Sequence, residues 1–183
     1  MKEGSIGSLD HKVPIMRNIL LPVVVVIALL AGACGSGDGE SLDSLQLVGV
    51  DFELNSILLT NGGGSDLLTE DVWVYQDGDA YELGLFTIEP RATILFNVRE
   101  LDGVETSGGE IALFASDSFD DEEAVLDYVA WGSNRHRLIE EDVIAGTWLE
   151  LGPVEVPSDA TALVRLDSQF VGPDGWEPYT GDE

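Results

Sequence analysis

Residues 72–81 have the sequence Val-Trp-Val-Tyr-Gln-Asp-Gly-Asp-Ala-Tyr and predict a β-hairpin. Asp77-Gly78 lies between two segments that are rich in aromatic and β-branched residues. Glycine accepts the positive φ that a tight reversal requires, so Asp-Gly between strand-like segments is the strongest short-range hairpin signal. This hairpin indicates that the chain folds as antiparallel β-structure.

Short strand patterns continue on both sides of the hairpin. Period-two alternation of apolar residues predicts a strand from Leu45 to Leu54, and Gly-, Asp- and Pro-containing turns separate the segments that follow. The further predicted strands cover residues 56–60, 81–88, 92–98, 111–115, 124–131, 149–156 and 160–166, with one or two helical turns at 137–145. Strands this short at intervals of about ten residues predict an all-β sandwich, and no βαβ alternation indicates a parallel α/β enzyme fold.

Composition restricts the partners that this chain can have. The 183 residues carry a formal net charge of −27. Such acidity argues against binding nucleic acid or docking on anionic lipid, because both require Lys and Arg, and it favours solubility and the binding of cations. The single cysteine, Cys34, leaves no disulfide and no cysteine-based metal site, so the domain must rely on its hydrophobic core.

An apolar run from Ile19 to Ala31 dominates the N-terminal part of the chain. It is shorter than the ~20 residues that a transmembrane helix needs, and Arg17 precedes it. This arrangement is typical of the hydrophobic helix of a secretory signal peptide, and we expect the whole signal peptide to cover residues 1–33. Met16 is a second candidate start, since Met16-Arg17-Asn18 opens a more conventional signal than the weakly charged segment before it.

The sequence Leu30-Ala31-Gly32-Ala33-Cys34 resembles the lipobox of bacterial lipoproteins. The resemblance implies cleavage before Cys34, lipidation of its thiol, and a mature domain outside the cytoplasm at the cell envelope. Two or three acyl chains give stable anchoring. Residues 34–45 then form a flexible acidic Gly/Ser spacer. The alternative is a secreted protein with an unmodified Cys34.

A second resemblance covers roughly Leu47 to Gly132. The segments S-I-L-L-T-N-G-G-G-S-D-L, V-W-V-Y-Q-D-G-D-A-Y-E-L, I-E-P-R-A-T-I-L-F, S-G-G-E-I-A-L-F and A-V-L-D-Y-V-A-W-G follow one another in an order that resembles the lamin tail domain. The matching positions are Asn61, Leu68, Trp73, Pro90, Gly109, Leu113, Asp127, Val129 and Gly132. The resemblance implies an immunoglobulin-like β-sandwich over residues 46–183, with a Trp-containing C-terminal extension. It also implies a non-catalytic module for interaction or adhesion.

Two surface features suggest a ligand-binding alternative. Asp117, Asp120, Asp121 and Glu123 form a carboxylate cluster in a predicted loop, and hard oxygen ligands suit Ca²⁺, although the spacing matches no EF-hand. The simpler interpretation is a solvated acidic loop. Trp176 lies in a predicted polar tail, where its ring would be a stacking surface for a carbohydrate.

The segment Arg135-His136-Arg137 is the most basic part of the predicted domain. We expect a solvated loop that contacts the carboxylates of a partner. An envelope hydrolase using His136 and Ser133 is the second alternative, but no serine lies in a nucleophile-elbow motif. The sequence therefore favours a domain without a catalytic site.

Overall fold

The computed structural model describes residues 25–27, 41–98, 104–133, 136–140, 144, 147–148, 152–166 and 172–181. These residues are mostly β-strands in antiparallel sheets with few helical turns, which confirms the all-β class. The strands are β1 (Val25–Ile27), β2 (Leu45–Asp51), β3 (Ser56–Asn61), β4 (Leu67–Leu68), β5 (Trp73–Gln76), β6 (Asp79–Glu82), β7 (Thr87–Ile88), β8 (Thr93–Asn97), β9 (Gly108–Phe114), β10 (Val125–Gly132), β11 (Ala162–Arg165) and β12 (Trp176–Tyr179).

Three sheets organise these strands. The largest has six strands in the order β1-β8-β3-β2-β11-β12, the second has the order β10-β9-β5-β6, and β4 pairs with β7. The only described α-helix, α1, covers Arg137–Glu140. Short 3₁₀ helices cover Leu42–Ser44, Glu122–Ala124 and Pro173–Gly175. Every strand pairing is antiparallel, and an isolated parallel bridge joins Trp131 to Val154.

The predicted hairpin is confirmed as the β5–β6 pair. Gln76 pairs with Asp79 across the turn, and both central residues have positive φ, 50° at Asp77 and 109° at Gly78. This backbone twist matches that of the flanking strands. Strand β5 of the hairpin pairs with β9 in the same sheet, and β9 is buried along its whole length.

The six-stranded and four-stranded sheets contribute to one hydrophobic core. Leu47 and Leu59 come from the larger sheet, and Val74 and Ile111 come from the smaller one; none of the four is exposed. The ring of Phe52, which directly follows β2, lies 5.7 Å from the ring of Trp131 in β10. Burial of apolar side chains is thus the main force holding the described residues together, as a chain without disulfides requires.

The N-terminal apolar run differs from the signal helix that the sequence predicts. Its described part, Val25–Ile27, is a strand paired with β8 at Thr93–Leu95. Valine and isoleucine are β-branched and favour extended backbone, and the adjacent edge of β8 supplies hydrogen-bonding groups. The rest of residues 1–33 lies outside the described residues. Within the described part of the chain, no helix is long and apolar enough to cross a membrane.

Candidate functional site

Cys34 and most of the predicted spacer lie outside the described residues. Within the range of the predicted spacer, Leu42–Ser44 is a 3₁₀ helix, and its first residue follows the cap Ser41. The Ser41 hydroxyl accepts a 3.4 Å hydrogen bond from the Asp43 N–H. Strand β2 follows at once, so the first strand after Cys34 among the described residues is close to the predicted lipidation site in the sequence.

The predicted carboxylate cluster lies on an exposed loop between β9 and β10. Asp117, Asp120, Asp121 and Glu123 are all exposed. The Asp121 carboxylate accepts a 3.0 Å hydrogen bond from the Glu123 N–H and caps the 3₁₀ helix that follows. Among the residues that the structure describes, no three or more His, Cys, Asp or Glu side chains converge as metal ligands would. The described geometry thus gives Asp121 a local structural role.

Trp176 does not lie in a polar tail. It begins β12, is only 5 % exposed and belongs to the hydrophobic core. The Arg165 guanidinium carbon lies 5.6 Å from the centre of its ring, a cation–π contact. The prediction of an exposed stacking surface at Trp176 is therefore wrong, because pairing of β12 with β11 turns the ring inward.

The prediction of a solvated loop at His136 is also wrong. His136 is only 8 % exposed, and its Nε2 lies 3.0 Å from the Trp131 carbonyl oxygen. Arg137 is exposed at the start of α1, and Arg135 lies outside the described residues. The segment packs onto the sheet because a buried carboxylate from β9 binds its backbone.

That carboxylate is Glu110, which has no solvent exposure. It accepts hydrogen bonds from the Tyr128 hydroxyl at 2.8 Å and from the Arg137 N–H at 2.9 Å, and the Leu138 N–H lies 3.2 Å from it. Burial raises the pKa of Glu110, although these donors oppose the increase. Glu110 thus fastens the start of α1 to the four-stranded sheet.

Asp77 holds the same region from the hairpin turn. Its carboxylate accepts a 2.9 Å hydrogen bond from the Glu110 N–H. A Cβ added at Gly109 would lie 3.1 Å from the Asp77 Oδ2 and 2.9 Å from the Trp131 ring. The close approach explains why glycine precedes Glu110, because a larger residue would separate the turn from β9.

A second buried polar cluster joins the two sheets. The Asp127 carboxylate accepts hydrogen bonds from the Leu47 N–H at 2.8 Å, the Tyr128 N–H at 2.9 Å and the Arg165 guanidinium at 2.5 Å. Burial raises the pKa of Asp127, while the Arg165 charge and the hydrogen bonds act against this rise. The cluster ties β10 to β2 and β11.

Sequence reasoning missed both clusters as structural centres. Glu110 lies between two glycines and the predicted strand at residues 111–115, and nothing in the neighbouring sequence identifies Tyr128 or α1 as its partners. The family resemblance points to Asp127 but not to its partner Arg165. One signal was present: a lone carboxylate inside an apolar strand must find donors when it is buried.

The described surface also has two adjoining grooves with mixed polar and apolar linings, of about 500 and 660 Å³. Both are lined by Thr106, Ser107 and Ser158. Glu53 and Asp159 line the smaller groove, and Glu155 lines the larger one. Hydroxyl and carboxylate groups can bind a polar or cationic ligand by hydrogen bonds.

No protein-family model, curated protein or solved structure matches this chain.

Proposed function

We propose that this chain is a lipid-anchored cell-envelope protein whose domain is a lamin-tail-like, immunoglobulin-like β-sandwich. The domain serves as a non-catalytic module for interaction or adhesion outside the cytoplasm. The observation that carries the proposal is the junction at Cys34: an apolar run and three small residues precede the cysteine, and β2 begins at Leu45. A short tether of this kind would hold a folded β-domain next to the membrane.

The bonding of the buried polar side chains supports a non-catalytic role. Glu110, Asp127 and His136 each bond to the chain's own backbone, and the first two also bond to its side chains. Catalytic acids and bases must reach a substrate atom within hydrogen-bond distance. These three groups instead hold neighbouring elements of the fold together.

The strand arrangement supports the sandwich part of the proposal. Two antiparallel sheets contribute side chains to one hydrophobic core, as the two layers of a sandwich do. Asn61, at the matching position of the family motif, organises the loop after β3. Its side-chain amide donates to the carbonyl oxygens of Ser65 and Ile88, at 2.7 and 3.0 Å.

Detergent phase partitioning and protease treatment of intact cells test the proposal together. We expect the wild-type protein to enter the detergent phase with residues 1–33 removed, and Cys34→Ser either to leave that phase or to remain unprocessed. We also expect added protease to cleave the domain in cells whose outer envelope layer has been permeabilised while the cytoplasmic membrane stays intact. Wild-type protein in the aqueous phase, or a domain accessible only after cell lysis, would contradict the proposal.

A further inference from the structure

One edge of the six-stranded sheet already carries an added strand. The short strand β1 lies antiparallel on β8, with Val25 opposite Leu95 and Ile27 opposite Thr93. Both are short: β1 has three residues and β8 has five. Cleavage before Cys34 would remove residues 1–33 and, with them, β1.

The hydrogen-bonding groups of β8 alternate between its two neighbours. The Asn61 N–H donates to the Ala92 carbonyl oxygen, and the Val98 N–H donates to the Asn55 carbonyl oxygen, both at 3.0 Å. The backbone N–H and C=O groups of the even-numbered residues in 92–98 therefore point toward β3. Because the backbone groups of an antiparallel strand alternate, those of Thr93 and Leu95 face β1.

The other edges of the described six-stranded and four-stranded sheets carry features that discourage strand addition. Strand β12 contains Glu177 and Pro178, β6 contains Asp79 and Glu82, and Val154 bonds to part of the outer edge of β10. Charged residues, proline and covering segments are the ordinary protections of an edge strand. Strand β8, Thr-Ile-Leu-Phe-Asn, has neither charge nor proline, although the whole chain carries a net charge of −27. It also pairs with β3 without a bulge.

We propose that β8 is a strand-accepting edge that binds an extended, uncharged, β-branched segment of a partner protein. The segment adds antiparallel to β8 in the register that Val25–Ile27 has in the full chain. Backbone hydrogen bonds supply the affinity in such an addition, and alternate side chains supply the specificity. An uncharged segment also avoids repulsion from the acidic domain. This inference rests on the proposed function, since removal of residues 1–33 is what opens the edge.

The probe is a fluorescent peptide with the sequence of residues 23–29 and a lysine extension for solubility. A control peptide has proline in place of Val25 and Ile27, which removes two N–H donors. Binding is measured by fluorescence anisotropy with three forms of the chain. The first is protein purified from membranes, the second is the unprocessed full chain, and the third is the unprocessed chain with Val25→Pro and Ile27→Pro.

We expect the membrane-purified protein and the double-proline chain to bind the peptide saturably, about tenfold or more tightly than the unprocessed wild type, in which β1 competes. Leu95→Pro in the double-proline chain removes an N–H that faces β1 and should weaken binding about tenfold. If Leu95→Pro lowers the melting temperature, Leu95→Lys replaces it. Thr180→Pro, next to the opposite edge of the same sheet, is the matched control and should leave peptide binding unchanged.

The outcomes separate this inference from the proposed function. If intact mass shows that the membrane-purified protein retains residues 1–33, the anchor is wrong, but the two unprocessed forms still test the edge. Equal peptide affinity of these two forms, or equal binding of the control peptide, would overturn the inference. Dimers of the processed chain that the peptide dissociates would also overturn it, because a second copy would then be the occupant.

Discussion

The Tyr128 hydroxyl donates a 2.8 Å hydrogen bond to the carboxylate of Glu110, and both side chains are buried between β9, β10 and the start of α1. The same carboxylate accepts from the Arg137 N–H, so one acidic group from β9 binds two other elements. Burial and the adjacent Glu110 charge raise the pKa of Tyr128, which therefore remains a hydrogen-bond donor.

Removing the Glu110 carboxylate should destabilise the domain. Glu110→Ala leaves the Tyr128 hydroxyl and the N–H groups at the start of α1 without their acceptor, and each buried unsatisfied group costs about 1–3 kcal/mol. We expect a loss of about 3 kcal/mol or more in the free energy of unfolding, measured by urea denaturation. Glu70→Ala, at an exposed position, is the control and should change it by less than about 0.5 kcal/mol. Equal losses in the two variants would contradict this role.

Glu110 should also make stability depend on pH. Its pKa is raised in the folded state above the ordinary value of 4.5, so the folded protein holds this proton more tightly than the unfolded chain does. Stability from this group is complete below about pH 4.5 and is lost as the pH rises through the raised folded pKa. Glu110→Gln cannot titrate. The difference between wild-type and Glu110→Gln unfolding free energies should therefore fall across this window, whereas a constant difference would show that Glu110 does not titrate there.

Removing only Arg165 from the Asp127–Arg165 pair should lower the free energy of unfolding more than replacing both residues with uncharged ones. Arg165→Leu leaves a buried, unpaired carboxylate, and breaking a buried pair typically costs about 3–5 kcal/mol. The double variant Asp127→Asn/Arg165→Leu removes both charges, so we expect it to lose less stability than Arg165→Leu alone. Chemical denaturation of the wild type, the single variants Asp127→Asn and Arg165→Leu, and the double variant gives the coupling energy. Strict additivity would show that the pair contributes no coupling.

Gly132 should not tolerate a side chain. Its φ is 69°, and a Cβ there would lie 2.4 Å from the Ser107 carbonyl oxygen and 2.5 Å from the Gly108 Cα. Since both atoms belong to the backbone of β9 or its approach, Gly132→Ala should cost about 2 kcal/mol or more. Gly64→Ala is the matched control, because nothing lies within 4 Å of its added Cβ. Similar melting temperatures for the two variants would contradict the predicted close contact.

The sequence predicts local elements better than it predicts their partners. Turn chemistry is local, so Asp77-Gly78 predicts the β5–β6 hairpin correctly. Pro90-Arg91 likewise predicts the break before β8, where Arg91 takes a φ of 60°. The continuous strand predicted over residues 81–88 is divided into β6 and β7. Between them the Thr69 hydroxyl donates to the Gly84 carbonyl oxygen at 2.6 Å, a contact with a residue 15 positions away.

The candidate site shows the same limit. Trp176 and His136 stand among polar residues in the sequence, yet pairing of β12 with β11 and docking of α1 on Glu110 bury both. Sequence separation conceals these contacts, since Glu110 and Arg137 are 27 positions apart. Composition predicts that the surface is acidic, but only tertiary packing determines which residues of the polar segments are buried.

Intact-mass analysis of the membrane-extracted protein, with Cys34→Ser measured beside it, tests the central claim most directly. We predict a chain that begins at Cys34 and carries the added mass of two or three acyl chains. We predict that the Cys34→Ser protein is unprocessed or released from the membrane. A wild-type mass with an unmodified Cys34 would contradict the lipid anchor, and the domain would then have to act as a secreted protein.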